Sequence, residues 1–381
     1  MGRVIFTADW HFGAGNTWGK IDPETGRNSS LAATITCAEE MLAYANENNV
    51  TGIVFAGDAF HRRNPSDTER LEFFRLFAQF LQDRDDRWVI IMPGTPSHDG
   101  QDMILPTQTS LTIYKELARF GGFQKRFSVV SKPAVIEREG VEYYIAVGLG
   151  EKTVDVEAMA ALWERSKARK DTRRVLVVHG AVSGAKVGPG DFELPNPYLS
   201  TDDLHPARFD LIVSGHLHKH QTIQEKIVIP GSIDRVDFGE RNEDKGFLSW
   251  DPGTNVWEFV QVKSAKRFVM LDIDLDQEGF SGLPDLGGDK GAIVKLRFKG
   301  SRAAFRKIDL VKVAAEIEGG FAPMNVSIEC NRVDEERKPT EIKELNYDEM
   351  LRAWLKSRDD LPKDVKKEAF QRGVQILTEA R

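Results

Sequence analysis

Five short segments carry side chains suited to metal or proton chemistry: Asp9-Trp10-His11, Gly57-Asp58, Ser97-His98-Asp99, His179-Gly180 and Gly215-His216-Leu217-His218. Each follows an apolar run that reads as a short buried strand. Each delivers an Asp, a His or a Gly turn at that strand's carboxyl end. Strand ends hold side chains rigidly, and the loops beyond them leave room for a substrate. In Asp9-x-His11 and His216-x-His218 the i,i+2 spacing puts both side chains on one side of an extended segment, so each pair can reach one metal cluster. Carboxylate mixed with imidazole suits manganese, iron or zinc better than calcium or magnesium. Taken singly, each piece has a plainer explanation: Asp-x-His is common by chance, and Gly-Asp at a strand end is usually a turn. Together, in this order and all at strand ends, they are not accounted for as separate core or turn residues.

All eight histidines precede position 221, so metal and proton chemistry is expected in the first part of the chain. His205 and His220 match no motif and read as structural. The only cysteines, Cys37 and Cys330, exclude a disulfide framework and nearly exclude a cysteine-based zinc site.

The elements that must position these residues alternate along the first half. Strands are expected at Val4–Thr7, Thr51–Ala56, Trp88–Met92, Val141–Val147, Val175–Val178 and Asp210–Ser214. Helices are expected at Leu31–Glu47, Asp67–Arg84, Pro106–Phe120 and Val156–Lys170. From Thr222 to Leu275 the pattern becomes strand-turn-strand, with turns at Pro230-Gly231 and Pro252-Gly253. Short strands mixed with hairpins favour an α/β fold of the αββα sandwich type over a pure doubly wound sheet. Gly279–Asp289 reads as a boundary loop. Beyond it, Ile293–Lys299, a helix at Asp309–Glu318 and a strand at Asn325–Cys330 read as a small α/β domain. A charged linker and two amphipathic helices follow.

The order DxH, GD, HD, H, GHxH resembles the calcineurin-like metallophosphoesterase superfamily over about 1–220. Gly57-Asp58-Ala59-Phe60-His61 with Asn64-Pro65-Ser66 is similar to its SbcD-type nucleases of double-strand-break repair. So is Pro230-Gly231-Ser232-Ile233-Asp234-Arg235-Val236-Asp237-Phe238-Gly239-Glu240, with Lys245-Gly246-Phe247 after it. The resemblance implies a four-layer αββα sandwich with a small capping domain and a helical tail. Its divisions here are a nuclease domain (1–265), a DNA-capping domain (266–330), a linker (331–345) and a tail (346–381). It implies two Mn2+ per chain, with Mg2+ less favoured. Asp9, His11 and His218 would hold one ion, His179 and His216 the other, and Asp58 would bridge them. His98 would hydrogen-bond the phosphate or protonate the leaving oxygen, and His61 would position the scissile phosphate. The family usually reads Gly-Asn-His-Asp at the third motif, where the Asn ligates the second metal. Here it reads Gly94-Thr95-Pro96-Ser97-His98-Asp99, a variant similar to that of some phage recombination endonucleases. Ser97 is the expected replacement ligand, with Thr95 or water as the alternatives, and a hydroxyl should bind the second ion more loosely than an amide.

The bulk charge, 52 Lys and Arg against 59 Asp and Glu, argues against a nucleic-acid binder. Residues 290–312, however, carry eight cations and only Asp309 as an acid. In Val294-Lys295-Leu296-Arg297-Phe298-Lys299 strict alternation puts three cations on one strand face. Lys295, Arg297, Lys299 and Arg302 are therefore candidate phosphate contacts; a solvated sheet face is the alternative. The helix at 67–84 is apolar more widely than one core-facing stripe, which fits either full burial or the family's homodimer. In the tail, Tyr347, Leu351, Trp354 and Leu355, then Phe370, Val374 and Leu377, recur at helical spacing. The resemblance makes them contacts for an SbcC-type ATPase; docking on their own domain is the alternative. No phosphate-cradling Gly-rich loop is present, so ATP dependence would come from that partner. No apolar run approaches the roughly 20 residues of a membrane span, and the first residues do not read as a signal peptide, so the expected compartment is the cytoplasm. The expected activity is a manganese-dependent DNA exonuclease and endonuclease. The rivals are a small-molecule phosphodiesterase or phosphatase of the same fold, and a catalytically weakened DNA-binding scaffold.

Overall fold

A computed structural model of the chain describes residues 1–15, 18–100, 109–148, 160–161, 164, 172–188, 190–193, 199–277, 291–309, 311, 313, 325–333, 347–356, 358 and 362–379. The first half contains β1 (Arg3–Thr7), α1 (Ser29–Glu47), β2 (Val50–Ala56), α2 (Asp67–Asp83), β3 (Trp88–Met92), α3 (Ile113–Phe120), β4 (Phe127–Val129), β5 (Ala134–Arg138), β6 (Val141–Ala146) and β7 (Arg173–His179). After them come β8 (Lys186–Val187), β9 (Phe192–Glu193), β10 (Leu211–Gly215), β11 (Gln221–Ile223), β12 (Ile227–Ile229), β13 (Gly246–Asp251) and β14 (Val256–Gln261). The last stretch holds β15 (Phe268–Asp274), β16 (Ile293–Ser301), α4 (Arg302–Phe305), β17 (Asn325–Val333), α5 (Tyr347–Lys356) and α6 (Lys363–Glu379).

The apolar runs form strands buried on both faces. In β1, Val4 and Phe6 face one core while Ile5 faces another. In β2 and β3 the same alternation sends Val54, Ile90 and Met92 one way and Ile53, Phe55, Val89 and Ile91 the other. The first core lies between two six-stranded sheets, ordered β14-β13-β1-β2-β3-β4 and β11-β12-β10-β7-β6-β5. Phe6 and Trp88 of the first sheet meet Tyr143 of the second, with ring centroids 6.5 and 5.2 Å apart. The second core lies under α1, α2 and α3. Asn28 caps α1 by accepting from the Ser30 amide, and Ser66 with Glu69 forms a capping box on α2. The architecture is the mixed α/β sandwich that the strand and helix alternation predicts.

Strands β1 to β4 run parallel, as do β6, β7, β10 and β12. Their carboxyl ends therefore open on a common edge, where parallel sheets place ligands.

The expected helix at Pro106–Phe120 begins at Ile113 among the described residues. Those expected at Val156–Lys170 and Asp309–Glu318 fall mostly outside them. In α2 the wide apolar face is largely core: Phe73, Leu76, Phe77, Phe80 and Leu81 are buried, and Phe74 stacks on Tyr114. Leu71 is left exposed.

The chain divides into two compact units. The larger joins Met1–Ile273 to Phe280–Phe298 and Asp309–Cys330, so most of the β15-β16-β17 sheet belongs with the sandwich. In β16, Val294, Leu296 and Phe298 are buried, and Lys295 and Arg297 share the other face as expected. Strand β17 runs to Val333, three residues into the expected linker. The smaller unit includes the tail, where α5 and α6 pair closely: a Cβ on Gly373 would stand 2.4 Å from Leu351 Cδ2. No helix among the described residues is long and apolar enough to cross a membrane.

Candidate metal centre

The loop after β1 carries three side chains with opposite duties. Trp10 turns into the core, its ring 5.2 Å from Phe55, 5.6 Å from Phe73 and 5.5 Å from Phe77. Its indole N–H donates to Thr7 Oγ1 at 2.7 Å. Thus pinned, the loop presents Asp9 and His11 to the sheet edge, where both remain buried.

Asp9, His11 and His218 bring one ligand atom each within 4.8 Å of one another, and so do Asp58, His179 and His216. His11 Nε2 and His218 Nε2 face each other at 2.9 Å. Two imidazole nitrogens at that distance share either the N–H of one ring, in a neutral hydrogen bond, or a metal ion. Asp58 belongs to the second triad, its Oδ2 3.2 Å from His179 Nε2, yet it also lies 3.9 Å from His11 Nε2. It is placed to serve both. The donor set, two carboxylates and four imidazoles, fits borderline divalent ions.

The rings are oriented from behind. His179 Nδ1–H donates to the Ala56 carbonyl at 2.7 Å, and His218 Nδ1–H to Glu240 Oε1 at 2.6 Å. Each bond orients its ring and leaves Nε2 as the nitrogen that could bind a metal. Lys245, fully buried, holds Glu240 Oε2 at 2.8 Å and donates to the His218 carbonyl at 2.9 Å. The His216 amide donates to both Asp9 oxygens, at 3.1 and 2.9 Å. The His179 ring is walled by glycines. A Cβ on Gly57, Gly94 or Gly215 would stand 2.4, 2.7 or 2.7 Å from it.

The backbone is strained where the ligands sit. Asp9, His11, Asp58 and His216 all have positive φ, at 55°, 46°, 56° and 89°. Such conformations cost about 1–3 kcal/mol each and persist where the surroundings over-determine them.

Electrostatics follow the same division. Burial raises Asp9 to about 6 against the pull of His179 and His218. Burial also opposes ionisation of Asp58, but His179 and then His11 hold its carboxyl well below the usual range. His179 overcomes burial through Asp58 and rises to about 9. Burial and then His179 push His216 down to about 4.

Glu240 is depressed to about 2, because His218 and Lys245 outweigh its burial. Its folded value lies below the ordinary 4.5, so its ionisation stabilises the fold above pH 4.5 and that share is lost as pH falls toward 2. Glu240→Gln should therefore narrow its stability deficit against the wild type between pH 4.5 and about 2. Urea unfolding of both metal-free proteins across that range checks this; a deficit independent of pH contradicts it.

His98 and His61 stand at the rim. The His98 ring centroid is 4.7 Å from that of His11 and 5.6 Å from that of His61. His98 Nδ1–H donates to the His61 carbonyl at 2.7 Å, which leaves Nε2 as the nitrogen that can meet a substrate. Next to it, buried Asp99 accepts from the amides of Asp58, Phe60 and Gly94, at 2.8, 3.2 and 2.8 Å. It ties the second and third motifs together. Burial, then Asp58, raises it to about 7.

One expected ligand lies elsewhere. Ser97 is exposed, and the hydroxyl that reaches the second triad is that of Thr95. The turn over Pro96–Gly100, with the His98 and Asp99 amides both donating to the Thr95 carbonyl, carries Ser97 outward. The supporting roles of Glu240, Lys245 and Asp99 are not apparent from the sequence alone. Glu240 and Lys245 lie inside the SbcD-like segment, which is the one signal that marks them.

The expected phosphate contacts are partly neutralised. Arg297 pairs with Asp272 of β15 through bonds of 2.5 and 2.6 Å, and Lys295 with Glu329 of β17 at 2.7 Å. Lys299 and Arg302 are exposed. In the tail, Trp354 is exposed, Leu351 and Phe370 are half-buried, and Leu355 is buried, which withdraws it from any partner surface. The side chains of Tyr347, Val374 and Leu377 lie outside the described residues.

The calcineurin-like phosphoesterase family model matches residues 2–220. The SbcD component of the nuclease SbcCD from Bacillus subtilis (strain 168) is 23% identical over 387 aligned positions, covering 93% of each chain. The putative phosphoesterase 244L of Invertebrate iridescent virus 6 is 33% identical over 108 positions, covering 28% of this chain and 38% of its own.

Proposed function

Since the chain belongs to the calcineurin-like phosphoesterase family, we propose that it is a manganese-dependent DNA nuclease of the SbcD type. It hydrolyses phosphodiester bonds as exonuclease and endonuclease, in the cytoplasm, as a homodimer working with an SbcC-type ATPase. The observation that carries this reading is the pair of His/Asp triads meeting at Asp58 beneath His98 and His61. The relative matched along nearly the whole chain supports the choice of DNA.

Asp9, His11 and His218 would hold one ion and His179 and His216 the other, with Asp58 shared between them. Two bound divalent ions supply an activated water and neutralise charge on the phosphate in flight. The protein's own residues do the rest. His61 lends its carbonyl to His98, so the His98 ring keeps one orientation. Nε2 of His98 then meets the phosphate or hands a proton to the departing oxygen. Glu240 and Lys245 keep His218 from turning, and Asp99 fixes the loop that bears Asp58.

Purified chain, manganese and end-labelled duplex DNA test the reading, with His98→Ala as control. Binding without cleavage points to a scaffold instead.

The paired cations of β16 favour one rival, a small-molecule phosphodiesterase, because they leave less free charge for a polymer. Reversing Lys295, Arg297 and Lys299 to Glu discriminates. We expect DNA affinity to fall about tenfold or more with a shallower salt dependence, while hydrolysis of bis(p-nitrophenyl) phosphate is spared. Equal loss of both, or loss of neither, counts against a phosphate-gripping strand.

A further inference from the structure

We infer that Thr95 supplies, through its hydroxyl oxygen, the protein ligand that completes the second metal position. The inference rests on the two-metal reading and concerns a residue that the family pattern does not assign.

The geometry is that of one coordination shell. Thr95 Oγ1 lies 3.0 Å from Asp58 Oδ2, 3.3 Å from His179 Nε2 and 3.4 Å from His216 Nδ1. Asp58 Oδ2 and His179 Nε2 are themselves 3.2 Å apart. Atoms bound at about 2.1 Å around one ion stand roughly 3.0–3.4 Å from each other. All four separations fall in that range. The three partners of the hydroxyl are the three members of the triad.

Hydrogen-bond accounting agrees. A hydroxyl has one proton and two lone pairs. His179 spends its Nδ1–H on the Ala56 carbonyl, so Nε2 is the nitrogen that turns a lone pair toward Thr95 once an ion takes the place of its proton. Asp58 Oδ2 is an acceptor. The hydroxyl proton satisfies that carboxylate, and the oxygen's remaining lone pairs are left facing the centre that His179 and His216 also face.

The residue is held there by backbone. Its amide donates to Asp58 Oδ1 at 2.5 Å, and Gly94 before it approaches so closely that a Cβ would stand 2.3 Å from the same oxygen. Asp99 anchors Gly94 from the other side. A longer side chain is not needed to reach the ion, because these backbone contacts bring position 95 itself into the site.

Calorimetric titration of the full-length chain with manganese tests this without recourse to activity. The wild type should take up two ions. Thr95→Val, equal in shape but without the oxygen, should weaken one of them by at least about tenfold and leave the other unchanged. Thr95→Ser should keep both, and Ser97→Ala should match the wild type. Thermal melts in chelator confirm that each variant is folded. Two ions bound by Thr95→Val with wild-type affinities overturn the inference. So does loss of an ion from Thr95→Ser or Ser97→Ala. A wild type that binds one ion or none overturns the two-metal reading itself, and this ligand with it.

Discussion

Asp58→Asn is expected to cost the most of any single change. Asn keeps the shape and can still accept from the Thr95 amide on Oδ1. What it loses is the one carboxylate within reach of both triads, 3.2 Å from His179 and 3.9 Å from His11. Its amide nitrogen faces rings whose lone pairs are meant for metal. Manganese uptake should drop below two per chain, and hydrolysis should fall by about 10³-fold or more, since bound metal contributes several kcal/mol of charge stabilisation. The change should also reach His179, which Asp58 raises to about 9 against its burial. Without that partner the imidazole gives up its proton at a lower pH, visible in the ring's titration by NMR. Activity retained within tenfold, with two ions still bound, would remove Asp58 from the bridging role.

His98→Ala should separate chemistry from metal binding. The ring belongs to neither His/Asp triad, although one ligand atom each of His98, His61 and His11 also lie within 4.8 Å of one another, and its Nδ1–H is already committed to the His61 carbonyl. Two manganese ions should bind as in the wild type, while DNA cleavage falls by about 10²–10⁴-fold, the usual range for a positioned acid. The leaving group then tells protonation from phosphate holding. A 3′- or 5′-oxygen of DNA needs a proton as it departs, whereas p-nitrophenolate does not. A much smaller loss on bis(p-nitrophenyl) phosphate assigns His98 the proton transfer. Equal losses on both substrates assign it the phosphate. Loss of a metal ion shows that the residue acts by holding the site together.

The residues of both triads are legible in the sequence because strand ends announce themselves. An apolar run closing on Asp, His or Gly fixes where a side chain emerges, and an i,i+2 pair fixes its side. What stays hidden is what depends on distance through space. Glu240 lies 22 positions from the ring it orients, and only its place at the end of the SbcD-like segment distinguishes it from a surface acid. Adjacency to His98 favours Ser97 over Thr95, but the wide turn at Pro96–Gly100 reverses that preference. Read alone, β16 presents an unopposed row of cations. The acids that answer Lys295 and Arg297 come from β15 and β17, 25 or more positions away, and strand neighbours are not visible one strand at a time. The tail's periodicity marks two helices correctly but cannot say that Leu355 turns inward. The α2 stripe is wider than a surface helix needs, and burial of five of its seven large apolar residues explains most of that width.

The three glycines around His179 have a consequence for how ions come and go. A ring enclosed by Gly57, Gly94 and Gly215 has no space in which to swing aside. Its bond to the Ala56 carbonyl bars rotation as well. An ion held at the second position would therefore not be released by motion of this ligand; it would depart through the side formed by Thr95 and the less buried His216. Exchange at that position would then proceed by successive loss of the outer donors, with His179 the last to let go. Dissociation rates measured by chelator chase should accelerate when either outer donor is weakened, and the association rate should hardly change, because the inner wall is already in its bound shape before an ion arrives.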